Sequence, residues 1–499
     1  MSPLKRAGIP RRGGREMAQA VNPYLPSYEY VPDGEPHVVD GRVYVYGSHD
    51  RFGAPMFCVN DYVCWSAPVD DLSDWRYEGV IYRKKQDPLN RHGFRSLYAP
   101  DMAQGTDGRF YLYYAFDFMG VMGVAVCDTP AGQYEFYGHI HFPDGRLWGS
   151  RSGDEFPFDP GVLVDDDGRV YLYSGFQTKV PFISSRFRDL KNTGCVVMEL
   201  DKDMTTIRKG PTLMLPCKGK GDVGDFAGHE FFEASSIRKI DGKYVFVYSS
   251  RHNHELCYAV SDRPDGGYRF GGTLVDIGDV FLDGRDEAHA LNYLGNTHGG
   301  ILNIGEDFYI FYHRQTNRSS YARQACAEKL TRTPDGGFLQ AEVTSCGLNG
   351  GPLRGEGLYE ARIACNLWSR DGAGRIDGFV PKHRLRKHPY FTQNGKDDDH
   401  ASVQYIANMR DGAVAGFKYF QLEKLAGIEI SVGGFCDGEV EVSDTPRFET
   451  VAARLAVEAH GERVTKCAPI SLADGVRPLY FRFKGKGAMD FYSFRLNRA

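Results

Sequence analysis

The chain has 499 residues, of which 42% are hydrophobic, enough for two or three domains with sizeable cores. Its formal net charge of −5 argues against a basic surface of the kind that binds nucleic acids or anionic membranes. We therefore expect neither of these among its partners.

The N-terminal residues 1–20 are basic and glycine-rich and lack the apolar stretch of a secretory signal. They are predicted to form a disordered leader. The eleven cysteines are scattered, odd in number and without a Cys-x-x-Cys pair, which favours reduced thiols over disulfides or a zinc cluster. Together these features predict a cytoplasmic location.

A short phrase recurs five times between residues 21 and 345, and this stretch shows almost no helical periodicity. Each copy begins with a glycine turn and continues with β-branched and aromatic residues, which predicts a tight turn that leads into a buried strand. The copies lie 60 to 74 residues apart, a spacing that suits one four-stranded blade. The all-β fold predicted for residues 21–345 is therefore a five-bladed β-propeller. The copies begin at Gly41, Gly108, Gly168, Gly242 and Gly305.

A polar residue precedes each copy at a similar distance, next to a proline or a small residue. Five blades that each deliver one ionisable group at the same position would gather these groups around a single axis. The sequence therefore predicts a site dominated by carboxylates. The five residues are Glu35, Asp101, Asp159, Glu233 and His298.

The repeat stops near residue 345. Residues 346–388 are interpreted as a connecting segment, and its basic run at 382–388 as a solvated loop. Residues 389–499 contain short strand-like runs that suit a β-sandwich with a jelly-roll arrangement. Within them, Asp397, Asp398 and Asp399 are interpreted as a solvated turn, with oxygen ligands for calcium as the alternative.

Four segments, in order, resemble the motifs of glycoside hydrolase family 43. The resemblance covers residues 22 to about 330, and residues 389–499 resemble the jelly-roll modules of carbohydrate-binding family 6. The segments are residues 98–101 (Tyr-Ala-Pro-Asp), residues 159–168 with their Asp-Pro start, residues 231–239 around Glu233, and residues 296–300 together with 312–314.

The resemblance implies a catalytic site at one mouth of the propeller channel and an inverting hydrolysis. The expected activity is release of terminal arabinofuranosyl residues from oligosaccharides, with β-xylosidase or another furanosidase, such as a galactofuranosidase, as alternatives. A non-catalytic carbohydrate-binding propeller is the alternative of another class. No organic cofactor is expected, and the oligomeric state stays open.

Cleavage of a glycosidic bond needs a proton donor and a base. Glu233 is the predicted general acid, because Phe231 and Phe232 beside it would raise its pKa. The family resemblance implies that Asp159 orients this acid, and its negative charge would hold the proton on Glu233.

Glu35 is the predicted base, but here the chain departs from the family, which has Asp directly before the proline. Asp33 is the alternative base. In a third reading the water is activated by another route, which would leave the inverting outcome open.

The remaining predicted site residues have supporting roles. Asp101 is expected at the site floor or on a substrate hydroxyl, with a structural turn as the alternative, and Tyr98 and Phe158 on a sugar-stacking rim. Arg314 is expected to bind a sugar hydroxyl or to pair with a catalytic carboxylate, with a simple ion pair as the alternative. The family resemblance implies that His298 faces a hydrated calcium ion near the axis, with a structural histidine as the alternative.

Overall fold

The computed structural model describes residues 18–376 and 385–499, and these residues contain thirty-one strands and seven 3₁₀ helices. The predicted leader falls almost wholly outside them, as do residues 382–384 of the basic run. In the described part of the chain no helix is long and apolar enough to cross a membrane. The 3₁₀ helices are Lys84–Gln86, Pro88–Asn90, Gly224–Phe226, Leu282–Gly284, Glu287–His289, Gly347–Asn349 and Ala361–Ile363.

Five antiparallel sheets follow one another along the chain, and in each the strands pair in sequence order. We number the sheets as blades 1 to 5. Blade 1 comprises β1 (Glu35–Val39), β2 (Arg42–Tyr46), β3 (Tyr62–Pro68) and β4 (Arg76–Tyr82). Blade 2 comprises β5 (Leu97–Gln104), β6 (Phe110–Phe116), β7 (Met122–Cys127) and β8 (Glu135–His139).

The third and fourth blades also have four strands, whereas the fifth has three. Blade 3 comprises β9 (Gly161–Val164), β10 (Val170–Gly175), β11 (Gly194–Leu200) and β12 (Ile207–Pro216). Blade 4 comprises β13 (Phe231–Ile240), β14 (Lys243–Ser250), β15 (Leu256–Ser261) and β16 (Arg269–Val275). After the short β17 (Leu294–Gly295), blade 5 comprises β18 (Ile301–Ile304), β19 (Asp307–Thr316) and β20 (Ser319–Leu330).

The recurring phrase forms the turn between the first two strands of each blade and the second strand itself. All five of its glycines adopt positive φ angles, between 61° and 84°, a conformation that a side chain would strain. The second strand is almost wholly buried in blades 2 to 5, so apolar side chains pack on both of its faces. Five apolar clusters result, one between each pair of neighbouring blades.

Tyrosines of the phrase also connect neighbouring blades by hydrogen bonds. The hydroxyl of Tyr46 donates to the carbonyl of Pro130 at 2.7 Å, in the following blade. Tyr113 of blade 2 makes the same bond to the carbonyl of Met204 in blade 3, and Tyr173 of blade 3 makes it to the carbonyl of Pro264 in blade 4. The aromatic residues of the phrase therefore fix the packing of one blade on the next.

The ring closes between its first and last blades. The first strands of successive blades contact one another around the axis, and β1 lies against β18. A parallel bridge joins Gly34 to Gly299, and the chain near Asn22 and Tyr24 runs along β20. The predicted five-bladed propeller is therefore confirmed, with the N-terminal segment lying beside a three-stranded last blade.

The C-terminal part is a mixed β-sheet domain of ten strands with its own apolar core. Its two longest strands, β28 and β31, pair along most of their lengths. The strands after blade 5 are β21 (Leu353–Arg354), β22 (Gly357–Glu360), β23 (Asn366–Trp368), β24 (Arg375–Ile376), β25 (Tyr390–Gln393), β26 (Gln404–Met409), β27 (Val414–Leu422), β28 (Leu425–Ser443), β29 (Ala453–His460), β30 (Val464–Pro469) and β31 (Gly475–Arg498).

Part of the predicted connecting segment belongs to the sheet of the C-terminal domain. Its strands β21 and β23 pair with β27, and β22 pairs with β31. The C-terminal domain therefore begins near residue 353 instead of 389. Strands of two to four residues are too short to show alternation, so the sequence did not reveal them. The likeness to carbohydrate-binding family 6 stays a prediction.

Candidate active site

Three carboxylates meet at one mouth of the channel, and each lies at or just before the first strand of its blade. Asp33 precedes β1, Asp159 precedes β9, and Glu233 lies in β13. Because the first strands form the ring around the axis, these side chains come together although 200 residues separate the outermost two.

The backbone around these carboxylates adopts unusual conformations. Asp33 and Asp159 have φ angles of 58° and 44°, and Ala234, next to Glu233, has a φ of 70°. A left-handed alanine costs about 1–2 kcal/mol. Such conformations concentrate at functional sites, where the surrounding structure holds them in place.

Asp33 is held as a carboxylate by Arg323. Its Oδ1 accepts a hydrogen bond from the guanidinium at 2.8 Å. Burial alone would raise the pKa of Asp33, but the Arg323 charge outweighs it and holds that pKa well below its usual range. His313 fixes the backbone, because its Nδ1 lies 3.3 Å from the amide nitrogen of Asp33 and its Nε2 bonds to the Asn296 carbonyl.

Arg323 lies in β20 and is 2% exposed. Its guanidinium also pairs with Asp50, with an Nε–Oδ2 distance of 2.9 Å, and lies over the ring of Phe57. A buried guanidinium with two carboxylate partners is fully compensated, whereas loss of any one partner would leave a buried charge alone.

Glu233 lies in an electrostatic environment opposite to that of Asp33. Its side chain is 16% exposed, and within the described residues no hydrogen bond to its carboxyl is found. Burial, and after it the negative charge of Asp33, raises the pKa of Glu233 to about 8. The nearest cationic candidate is His254, whose Nδ1 lies 3.9 Å away, but burial lowers the pKa of His254 to about 4 and leaves it neutral.

Asp159 connects Glu233 to the centre of the ring. Its Oδ2 accepts the amide N–H of Ala234 at 3.1 Å and lies 3.6 Å from Nδ1 of His298. Burial raises the pKa of Asp159, and the charges of Glu233 and Asp33 add to it. Because only Asp159 receives an amide hydrogen bond, which favours the ionised form, the proton that this pair retains belongs on Glu233.

Comparison with known proteins identifies the family. The sequence profile described as Glycosyl hydrolases family 43 matches residues 27–338.

The chain belongs to glycosyl hydrolase family 43.

Its relatives agree with this assignment. A xylosidase/arabinosidase of Thermoclostridium stercorarium is 47% identical over 479 residues, which cover 96% of this chain and 99% of the relative. Xylosidase/arabinosidase 43A of Humicola insolens is 32% identical over 317 residues, 57% of this chain and 88% of the relative. A solved β-xylosidase/α-arabinofuranosidase from a compost metagenome covers 66% of this chain and 98% of its own, with 25% identity and a TM-score of 0.49. The protein is a glycoside hydrolase.

In this family 43 enzyme the predicted base, Glu35, does not reach the mouth. It is 0% exposed and lies deeper in the channel, where Oε2 accepts hydrogen bonds from Ser236 at 2.9 Å and from Arg238 at 2.8 Å. Burial raises the pKa of Glu35 to about 8, although Arg238 acts in the opposite direction. A side chain at Gly300 would collide with Glu35, so the glycine makes room for the longer acid.

Asp101 and Arg314 also lie outside the site surface. Asp101 is fully buried, and its two oxygens bond to His37 and to the amide of Val162, which joins blades 1, 2 and 3. Arg314 donates to the carbonyls of residues 362 and 364 and lies 3.8 Å from the centre of the Phe391 ring. Both side chains therefore make structural contacts inside the protein, and their predicted contact with substrate stays a prediction.

The two residues of the predicted aromatic rim differ in position, and their contact with a sugar stays a prediction. Tyr98 is half-buried at the mouth, where its ring contacts Phe57 and Phe118. Phe158 is 4% exposed and belongs to an aromatic cluster with Phe176 beneath the site. Phe158 thus supports Asp159 from below and presents no free face for a sugar.

His298 lies on the axis between two acids. Its Nδ1 faces Asp159, and its Nε2 lies 3.8 Å from Oε1 of Glu35. These two facing atoms, Nε2 and Oε1, are both buried and both lack a hydrogen-bond partner. One imidazole nitrogen and one carboxylate oxygen with free lone pairs fit a hydrated cation on the axis.

Sequence reasoning missed Arg323 and His254, and it gave no role to His313, although the motif at residues 312–314 contains it. A weak signal for Arg323 was present, because it lies in a strand whose side chains are almost all buried, and a buried arginine needs a partner. For His254, which follows β14 in a turn, no comparable signal exists.

We expect Arg314→Met to lower the free energy of unfolding by about 2–5 kcal/mol, because two carbonyls lose a charged donor. The kcat/KM of the folded enzyme on a nitrophenyl glycoside should not change. Denaturant unfolding and steady-state kinetics measure both, with the exposed Arg91→Met as the matched control. A fall in kcat/KM of the fully folded variant would show that Arg314 takes part in substrate binding or catalysis.

Proposed function

We propose that this enzyme releases terminal arabinofuranosyl residues from oligosaccharides by acid/base hydrolysis with inversion. The observation that carries the proposal is the opposite setting of two carboxyls at one mouth. Arg323 keeps Asp33 ionised, whereas burial and the Asp33 charge keep Glu233 protonated near neutral pH. An inverting glycosidase needs this pair of one base and one acid.

In this proposal Asp33, and not Glu35, is the base. Asp33 removes a proton from the water that attacks the anomeric carbon, while Glu233 gives its proton to the leaving oxygen. The two residues belong to blades 1 and 4, which are not neighbours in the ring, and inverting enzymes need such a gap for the water.

Asp159 acts through Glu233 as a positioning residue. Its bond to the Ala234 amide holds the backbone beside the acid, and its charge opposes loss of the Glu233 proton. After the reaction the excess proton on Asp33 is released to solvent, and Glu233 takes one up.

The sugar assignment rests on similar proteins. The 47% identical relative is named a xylosidase/arabinosidase, so a terminal xylosyl residue is the second candidate, and a galactofuranosyl residue remains as a third. Comparison of kcat/KM on the three nitrophenyl glycosides tests this ranking of the sugars. A higher kcat/KM on the xyloside would reverse the first two places and leave the assignment of the acid and the base unchanged.

The choice of base predicts a contrast between two neighbouring acids. Asp33→Asn should lower kcat by about 10²–10⁴-fold, because a general base is lost. Glu35→Gln keeps the shape of the buried side chain and should retain more than about a tenth of kcat, because Glu35 does not contact the reacting water. Initial rates on an activated nitrophenyl glycoside measure both.

Thermal unfolding of the two variants serves as the control, since either substitution alters a buried contact. Azide should partly restore turnover of Asp33→Ala and yield a glycosyl azide of inverted configuration. Loss of turnover in a folded Glu35→Gln protein, with Asp33→Asn active, would restore Glu35 as the base.

The Glu233 carboxyl predicts the basic limb of the pH profile. With a pKa of about 8, the acid is protonated below that pH and loses its proton above it, so kcat/KM should fall as the pH rises through 8. In Asp33→Asn the residual kcat/KM should begin to fall at a lower pH, because the negative charge that raises the Glu233 pKa is gone. If the fall occurred at the same pH as in the wild type, Asp33 would be too far from Glu233 to affect its pKa.

We propose further that calcium binds on the axis between Oε1 of Glu35 and Nε2 of His298. The two facing atoms without hydrogen-bond partners support this proposal, and the solved enzyme from a compost metagenome is named a calcium-free form. In this chain the ion would supply positive charge among four buried acids.

EDTA should then lower the midpoint of thermal unfolding, and added Ca²⁺ should restore it, because an ion bound only by the folded state stabilises it. His298→Gln should abolish this response. An equal EDTA response in His298→Gln would place the ion elsewhere.

A further inference from the structure

A second polar site lies between blade 1 and the C-terminal domain. An open cavity of about 410 Å³ separates them there. Its wall contains Glu29, His49 and Asp398, whose ligand atoms all lie within 4.8 Å of one another. None of these residues belongs to the catalytic mouth, and Asp398 comes from the Asp397–Asp399 run that the enzyme mechanism does not use.

The ring of His49 lies between two hydrogen-bond acceptors. Its Nδ1 lies 2.8 Å from the main-chain carbonyl of Asp61, and a carbonyl only accepts, so Nδ1 carries the hydrogen. In the neutral ring, Nε2 then directs its lone pair at Oε1 of Glu29, 3.1 Å away. Two acceptors that face each other need a cation or an added proton between them.

Glu29 is held just as firmly. It is 5% exposed, its Oε2 accepts from the indole nitrogen of Trp65 at 2.9 Å, and its Oε1 accepts from the amide of Tyr30. Metal-binding histidines typically donate their second N–H to a carbonyl, and the carboxylates beside them are hydrogen-bonded in turn. Glu29 and His49 both show this supporting arrangement.

The types of ligand favour a first-row divalent ion, and the one short separation is compatible with it. Ligand bonds to zinc of 2.0–2.2 Å place cis ligand atoms about 3 to 3.4 Å apart, which matches the separation of 3.1 Å between Glu29 and His49. A set of one imidazole and two carboxylates also suits first-row divalent metals.

We propose that Glu29, His49 and Asp398 bind a first-row divalent cation of the Zn²⁺ class, with water from the cavity completing the coordination. The ion links the propeller to the C-terminal domain, because two ligands belong to one and the third to the other. Asp397 supports the same junction through a bond of 2.6 Å to the amide of Phe52.

The test uses the full chain, stripped with EDTA and titrated calorimetrically with ZnCl₂ and, separately, with CaCl₂. The wild type should bind Zn²⁺ saturably at this site and unfold at a higher temperature with Zn²⁺ present. Asp398→Asn, on an exposed loop, should weaken Zn²⁺ binding by about tenfold or more and remove the thermal shift. His49→Gln should do the same, and Co²⁺ should give a visible absorption band that is lost in His49→Gln.

Asp399→Asn is the matched control, since Asp399 lies on the same loop and caps the amide of Ala401. It should bind Zn²⁺ like the wild type. The calcium response assigned to His298 should persist in Asp398→Asn, so failure of one site is distinguishable from failure of the other.

Two outcomes overturn the proposal. One is Zn²⁺ binding that Asp398→Asn leaves unchanged, which would mean that Glu29 and His49 form a protonated ion pair only. The other is Ca²⁺ binding that depends on His49 and is tighter than Zn²⁺ binding, which would reject the metal class.

Discussion

Too many acids share one axis for all of them to be charged, and this constraint organises the enzyme. Asp33, Glu35, Asp101 and Asp159 are all buried near the centre of the ring. Burial of an ionised carboxylate without a partner is costly, so each must be paired or protonated. Arg323 compensates Asp33, Arg238 compensates Glu35, and His37 and main-chain amides hold Asp101.

The catalytic division of labour follows from this distribution of charge. The cationic side chains that pair with the axial acids do so at Asp33 and deeper in the channel. Among the described residues, the ion-pair contact of Glu233 at the mouth is with the neutral His254. Two carboxyls with the same intrinsic chemistry therefore separate into a base and an acid. The environment that the blades create, more than the residue types, sets the two roles.

The sequence predicted the structural features that recur in every blade, but few of those that occur only once. The turn glycines and buried strands recur in every blade, so the propeller and the convergence of Asp159 with Glu233 were predictable. The choice between Glu35 and Asp33 was not, because it depends on which side chain meets Arg323, 290 positions away. Arg314 was chosen over Arg323 for a similar reason: each is the only arginine of a largely buried strand, and only three-dimensional packing shows which one meets Asp33.

The contact between Asp33 and Arg323 has a consequence for biosynthesis. Its two halves are made at opposite ends of the propeller, so a nascent chain on the ribosome carries Asp33 through the synthesis of four blades before its counter-ion emerges. Contacts of such long range form late and slowly. The hydrolytic centre is thus completed only after the last blade has been translated, and shortened translation products contain no active enzyme.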